Sequence, residues 1–162
     1  MKKISSLLIT IAGVITGGVA GFLASSKFSN KIIEKKDARI DKFVGYFNLL
    51  EQWMSIKEEG KAIASYFEKN GYYKIGLYGL GKIANHLLKE LDGTDIQILF
   101  AIDARGERLN SDIVVYTPDD EIPKADVIVV TATFDYDNIK KTLEEKTDTQ
   151  VISMDDVIYD LL

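Results

Sequence analysis

Residues 79–84 read Gly-Leu-Gly-Lys-Ile-Ala, a Gly-x-Gly-x-x-Ala turn between an apolar run and an amphipathic one. The chemistry such a turn offers is anion binding. Gly79 permits the tight turn, Gly81 lets backbone approach a pyrophosphate with no Cβ in the way, and Ala84 keeps helix and strand close. The helix start behind Leu80 and Gly81 presents free N–H groups and a positive dipole end to a phosphate. Asp103 follows Gly79 by 24 residues, at the end of the next apolar run, where a ribose-binding carboxylate belongs. Lys82 reaches a phosphate or is a solvated helix lysine. Arg105 approaches a ribose phosphate or is plain surface. Thr131 and Thr133 follow a later strand and border the same crevice, with Thr133 or Asp135 expected to cap the next helix. The competing reading is conformational: any sharp strand-to-helix turn needs such glycines, and Asp103 then caps the turn after it.

Other chemistry has little to stand on. Cysteine is absent, so disulfides and thiolate metal sites are excluded. The single histidine, His86, falls one turn into the helix after the glycines and reads as a surface or packing residue. No Gly-x-Ser-x-Gly, Walker lysine, Ser/His/Asp set or metal-ligand spacing occurs. Asp119-Asp120-Glu121 and Asp155-Asp156 read as a solvated loop and a helix start. Hydride transfer needs a substrate pocket and a positioned acid or base. Neither is legible, so no catalytic residue is assigned and the reading leans away from an enzyme.

The elements that must hold the turn follow from periodicity. Tyr72–Tyr78, Gln97–Ile102, Ile113–Tyr116, Asp126–Val130 and Gln150–Ser153 read as strands. The continuous Val/Ile run of the fourth marks a strand covered on both faces. Gly81–Leu91, with Ile83, Ala84, Leu87, Leu88 and Leu91 inward, Asp135–Glu145 and Asp155–Leu161 read as helices. Strand–helix alternation predicts an α/β fold over residues 71–162, a Rossmann-like parallel sheet of about four to five strands.

Residues 28–70 read as an amphipathic helical linker. Ile33, Ile40, Phe43, Phe47, Leu50 and Met54 recur at helical spacing, and Val44, Trp53 and Ile56 widen the stripe. The helix is either a short parallel coiled coil or a helix lying on the globule; the wide stripe favours the second. Gly60 separates it from a second helix, Lys61 to Lys69, with Ala62, Ile63 and Tyr66/Phe67 inward, stopped by Asn70-Gly71.

Residues 4–26 carry no charge. A helix of that length crosses a hydrocarbon core of roughly 30 Å. Residues 1–27 therefore read as a transmembrane signal anchor, with a cleaved signal peptide or a buried soluble helix as alternatives. Lys2 and Lys3 precede the span; Lys27, Lys31, Lys35, Lys36, Arg39 and Lys42 follow it. The larger count stays inside, which predicts a single-pass protein of the cell membrane with a cytoplasmic C-terminal domain. Gly13, Gly17 and Gly21 lie on one helical face and predict a homo-oligomer contact within the bilayer. Residues 1–42 hold eight Lys/Arg against three Asp/Glu, and residues 43–162 hold twelve against 22. An acidic globule argues against nucleic acid.

The segments "KIGLYGLGKIANHLLKEL", "ILFAIDAR", "DVIVVTATFDYDNIKKTL" and "VISMDDVIYDLL" resemble small Rossmann-like domains of bacterial surface-polysaccharide biosynthesis proteins. "WMSIKEEGKAIASYFEKNGYYKIGLYG" extends the resemblance over roughly residues 50–162. At longer range the chain is similar to the N-terminal domains of sugar O-acyltransferases, without their hexapeptide-repeat domain. The resemblance implies a nucleotide-sugar or NAD(P) ligand lined by Gly79, Gly81 and Asp103, and polysaccharide-assembly proteins as partners. The expectation is thus a membrane-anchored nucleotide or nucleotide-sugar binding protein, accessory or regulatory in that biosynthesis. A scaffold that binds no nucleotide and an NAD(P)-dependent oxidoreductase completed by dimerisation are the alternatives.

Overall fold

A computed structural model describes residues 36, 37, 39–104 and 113–162. They fall into two compact units, the first ending at Val44 and the second spanning Gly45–Leu162. In the first unit the described residues are helical. Residues 1–35 lie outside the described residues, and with them the expected anchor and Gly13, Gly17 and Gly21. Among the described residues no helix is long and apolar enough to cross a membrane.

The second unit opens with helix α1 (residues 45–58) and α2 (Ile63–Asn70). Strand β1 (Lys74–Tyr78), helix α3 (Lys82–Leu91) and strands β2 (Gln97–Ile102) and β3 (Val114–Tyr116) follow. The chain then crosses to β4 (Val127–Val130), α4 (Tyr136–Glu144), β5 (Gln150–Ser153) and α5 (Met154–Tyr159). The five strands form one sheet in the order β3-β2-β1-β4-β5, and every pairing is parallel. The architecture is α/β and Rossmann-like in kind, with the strand order reversing direction between β1 and β4.

Alternation along the strands divides two cores. Ile75, Leu77, Ala101, Val127, Val129 and Ile152 face a cluster with Leu49, Trp53 and Ile56 of α1, Ile63 and Phe67 of α2, Leu87 of α3 and Val157 of α5. Phe100, Ile102, Ile128, Val130 and Val151 face Ile139 and Leu143 of α4. Gly76 points to this second core because the Phe100 ring crosses it: a Cβ there would lie 2.6 Å from the ring.

Packing corrects the expected face of α1. The row at Phe47, Leu50 and Met54 is exposed, and the packed row is Leu49, Trp53 and Ile56. Glu90 of α3 bonds to the packed row. Its Oε2 accepts from the Trp53 indole N–H at 2.8 Å, and its Oε1 accepts from the Ile63 amide at 3.2 Å and pairs with Lys57 Nζ at 3.1 Å. One carboxylate thereby ties α1, α2 and α3 together, and its charge is compensated where it is largely withdrawn from water. Ala62, expected inward, is exposed, because its extended backbone precedes the helix instead of joining it. Gly71 ends α2 in the left-handed conformation as the Asn70-Gly71 pair predicts.

Candidate functional site

The turn after β1 sits at the carboxyl edge of the sheet, at the strand-order reversal where open α/β sheets bind ligands. Gly79 has φ +91°, and a Cβ there would stand 3.1 Å from Thr131 Oγ1, so both backbone and space require glycine. Its N–H donates to Ile102 C=O at 2.8 Å, which ties the turn to β2. From the other side, the Thr131 amide donates to Tyr78 C=O at 2.9 Å and its hydroxyl to Gly79 C=O at 2.7 Å. Thr131 is therefore buried beneath the turn, joining the ends of β1 and β4.

Asp103 is also buried. Its own N–H donates to Tyr116 C=O at 3.0 Å, and its Oδ2 accepts from the Leu80 amide at 2.8 Å. The carboxylate thus braces the glycine turn that precedes it in sequence. Leu80 is buried over this bond, while Gly81 and Lys82 are exposed. Gly81 is the N-cap of α3, and among the described residues no side chain caps that helix. Its backbone (φ −86°, ψ −166°) is one any residue adopts, and among the described residues nothing lies within 4 Å of the place a Cβ would take. The fold requires glycine at position 79; among the described residues it leaves the space above Gly81 open. Arg105 lies outside the described residues.

A different region holds the acidic groups. A cavity of about 300 Å³ lies between the turn after β4 and the start of α5, lined by Thr133, Asp135, Asp137, Asp155 and Asp156 among others. Thr133 and Asp135 belong to a 3-10 turn inserted before α4, and Asp135 takes the N-cap position of that helix, as expected, although its side chain makes no cap bond. Asp135 Oδ1 instead accepts from Asn138 Nδ2 at 2.6 Å. Ser153 and Asp156 form a capping box on α5, so that pair of carboxylates does mark a helix start. Burial raises the Asp155 carboxyl, a hydrogen bond from Thr133 opposes the rise, and the Asp156 charge adds to it. Burial likewise raises the Tyr78 hydroxyl, aided by the charges of Asp103 and Asp135. Tyr46 of α1 stacks edge-on against Phe134 at 6.0 Å; burial raises its hydroxyl, with Asp155 adding to the rise. Among the described residues no group of His, Cys, Asp or Glu is placed to hold a metal ion.

Sequence reasoning did not bring Asp135 and Asp155 together. The usable signal was positional: each follows a strand, and a parallel sheet brings the ends of neighbouring β4 and β5 side by side. His86 is exposed on α3, with its ring 6.4 Å from that of Trp53, as a surface residue would be.

No protein-family model matches the chain, and no curated protein or solved structure matches it.

Proposed function

We propose that the second unit binds the phosphate of a nucleotide or nucleotide-sugar at the start of α3. The observation that carries this reading is the contrast at the two glycines. Gly79 is explained by the fold itself, whereas Gly81 stands at an uncapped helix start with open space above it. Ser, Thr, Asp and Asn are the usual residues at such a cap, since their side chains satisfy the orphan amides. A glycine there leaves those amides to water or to an anion, at the positive end of α3. The site lies at the strand-order reversal, which supports the same reading. The uncharged span of residues 4–26 and the cations after it support attachment to the membrane with this unit on the cytoplasmic side. Its role is then accessory or regulatory, in assembly of cell-surface polysaccharide, as the sequence resemblance implies.

A thermal-shift or calorimetric screen of the chain against NAD, NADP, UDP-sugars and CoA tests it. A ligand at a hundred times its Kd stabilises by about 2.7 kcal/mol. Gly81→Asp is expected to abolish that stabilisation and leave the fold unchanged. A folded chain that none of these ligands stabilises would sink the proposal.

A second reading, a membrane scaffold without nucleotide, draws on the bonds of Asp103 and Thr131, which complete the turn with no ligand. Under it, Gly81→Asp leaves function intact.

A further inference from the structure

Helix α1 carries two apolar rows and the fold uses one. Leu49, Trp53 and Ile56 are buried against the sheet side. Phe47, Leu50 and Met54 form the other row, at 70%, 41% and 61% exposure. Successive members of that row are three and four residues apart, and the same alternation runs back in sequence through Phe43 and Ile40. A 3–4 alternation is the seam of a left-handed coiled coil.

We propose that this row is a self-association surface, on which α1 pairs in parallel and in register with α1 of a second copy of the chain. Spacing, charge and shape select that occupant. A helix laid on a broad apolar surface needs a wide stripe, not a strict 3–4 seam. Glu51 and Glu58, both exposed, follow Leu50 and Met54 on the flank turned away from α3. The α3 flank instead carries Lys89 and the Lys57–Glu90 ion pair, which line a groove of about 520 Å³ with Leu50, Trp53, Met54 and His86. In a parallel two-fold pair each helix sets one flank against the opposite flank of its partner. The carboxylates of one copy then face the flank of the other on which Lys89 is the cation beyond the Lys57–Glu90 pair, and the contact occurs twice. The groove receives the partner's seam side chains. An anionic lipid surface fits worse, because Glu51 and Glu58 border the row and residues 43–162 hold twelve cationic side chains against 22 acidic ones.

The chain has no cysteine, so a single introduced one reports position. The full chain is used, in mild detergent. Leu50→Cys is expected to give a disulfide-linked dimer on gentle oxidation, whereas Asn48→Cys, off the seam, gives little. Phe47→Glu with Leu50→Glu places four carboxylates in the seam and is expected to weaken the dimer roughly tenfold or more in sedimentation equilibrium. Circular dichroism should stay unchanged, because neither side chain belongs to the core. A monomeric parent chain overturns the proposal. So does equal cross-linking at positions 48 and 50, or a dimer that the two glutamates do not weaken. A monomer that floats with vesicles, and loses that with the two glutamates, also overturns it and assigns the row to lipid.

Discussion

The carboxyl edge of the sheet is finished in two ways. Over β1 and β2 the chain is stitched shut: Gly79, Leu80, Asp103 and Thr131 satisfy one another through hydrogen bonds of 2.7–2.8 Å, together with the Ile102 carbonyl. Over β4 and β5 the chain turns more widely and leaves a cavity whose walls include Asp135, Asp137, Asp155 and Asp156. Room and affinity are separate matters at this edge. The open side has volume, but its carboxylates repel a phosphate. The closed side ends on the start of α3, where no side-chain cap bond is made among the described residues, with the sign an anion needs. The proposed phosphate site therefore rests on charge and not on volume.

The comparison breaks most severely at Gly79. Gly79→Val puts a β-branched residue into the left-handed region, a strain of about 1–3 kcal/mol. It also crowds Thr131 and Ala132, and overpacking typically costs about 1–3 kcal/mol more. Gly81→Ala meets neither problem and should change stability by about 0.5 kcal/mol or less. Chemical denaturation of both variants reads the contrast directly. Equal losses would mean that the second glycine is also structural, and the argument for an open ligand space would fail.

Asp103→Ala gives the next effect. It leaves the buried Leu80 amide without its acceptor, a cost of about 1–3 kcal/mol. Asp103→Asn keeps an acceptor oxygen in place and should recover much of that loss. If Asp103→Ala is neutral by denaturation, the carboxylate does not brace the turn and is available to a ribose.

How much of this could be read beforehand depends on the range of the forces involved. The β4 run Val127–Val130 announces a strand covered on both faces, because a continuous apolar run has no other comfortable place. The glycine turn is equally local: a strand, a bend that needs positive φ and an amphipathic helix follow in order. The face of α1 is not local. Both of its rows are apolar, and the choice between them depends on distant partners: the packed row meets α2, α3, α5 and the sheet, and Trp53 bonds to Glu90 37 residues away. The role of Asp103 is hidden for the same reason. Its position at the end of β2 is legible, but the bond to Leu80 exists only once β1 and β2 pair. Asp135, a good capping type, does take the N-cap position of α4, yet its carboxylate accepts from Asn138 Nδ2 and not from a backbone amide, which the sequence does not show.

The smallest effect sharpens the other half of the comparison. Asp155 lies on the open side, and its carboxyl is raised above the ordinary 3.8, chiefly by burial. The folded chain therefore holds this proton more tightly than the unfolded chain does. Its contribution to stability is fully present below the ordinary value and is lost as pH rises through the raised one. Asp155→Asn is neutral at every pH and keeps an amide oxygen to accept the Thr133 bond. The variant should match the parent chain in acid and become the more stable of the two as pH rises through that window. Solvent screening holds the gain near neutral pH to about 0.5 kcal/mol or less. Urea melts of both chains from mildly acidic to neutral pH measure it. Parallel curves would show that Asp155 is as well solvated in the native state as in the unfolded one. The open side would then be ordinary surface, and the contrast with the stitched turn would rest on geometry alone.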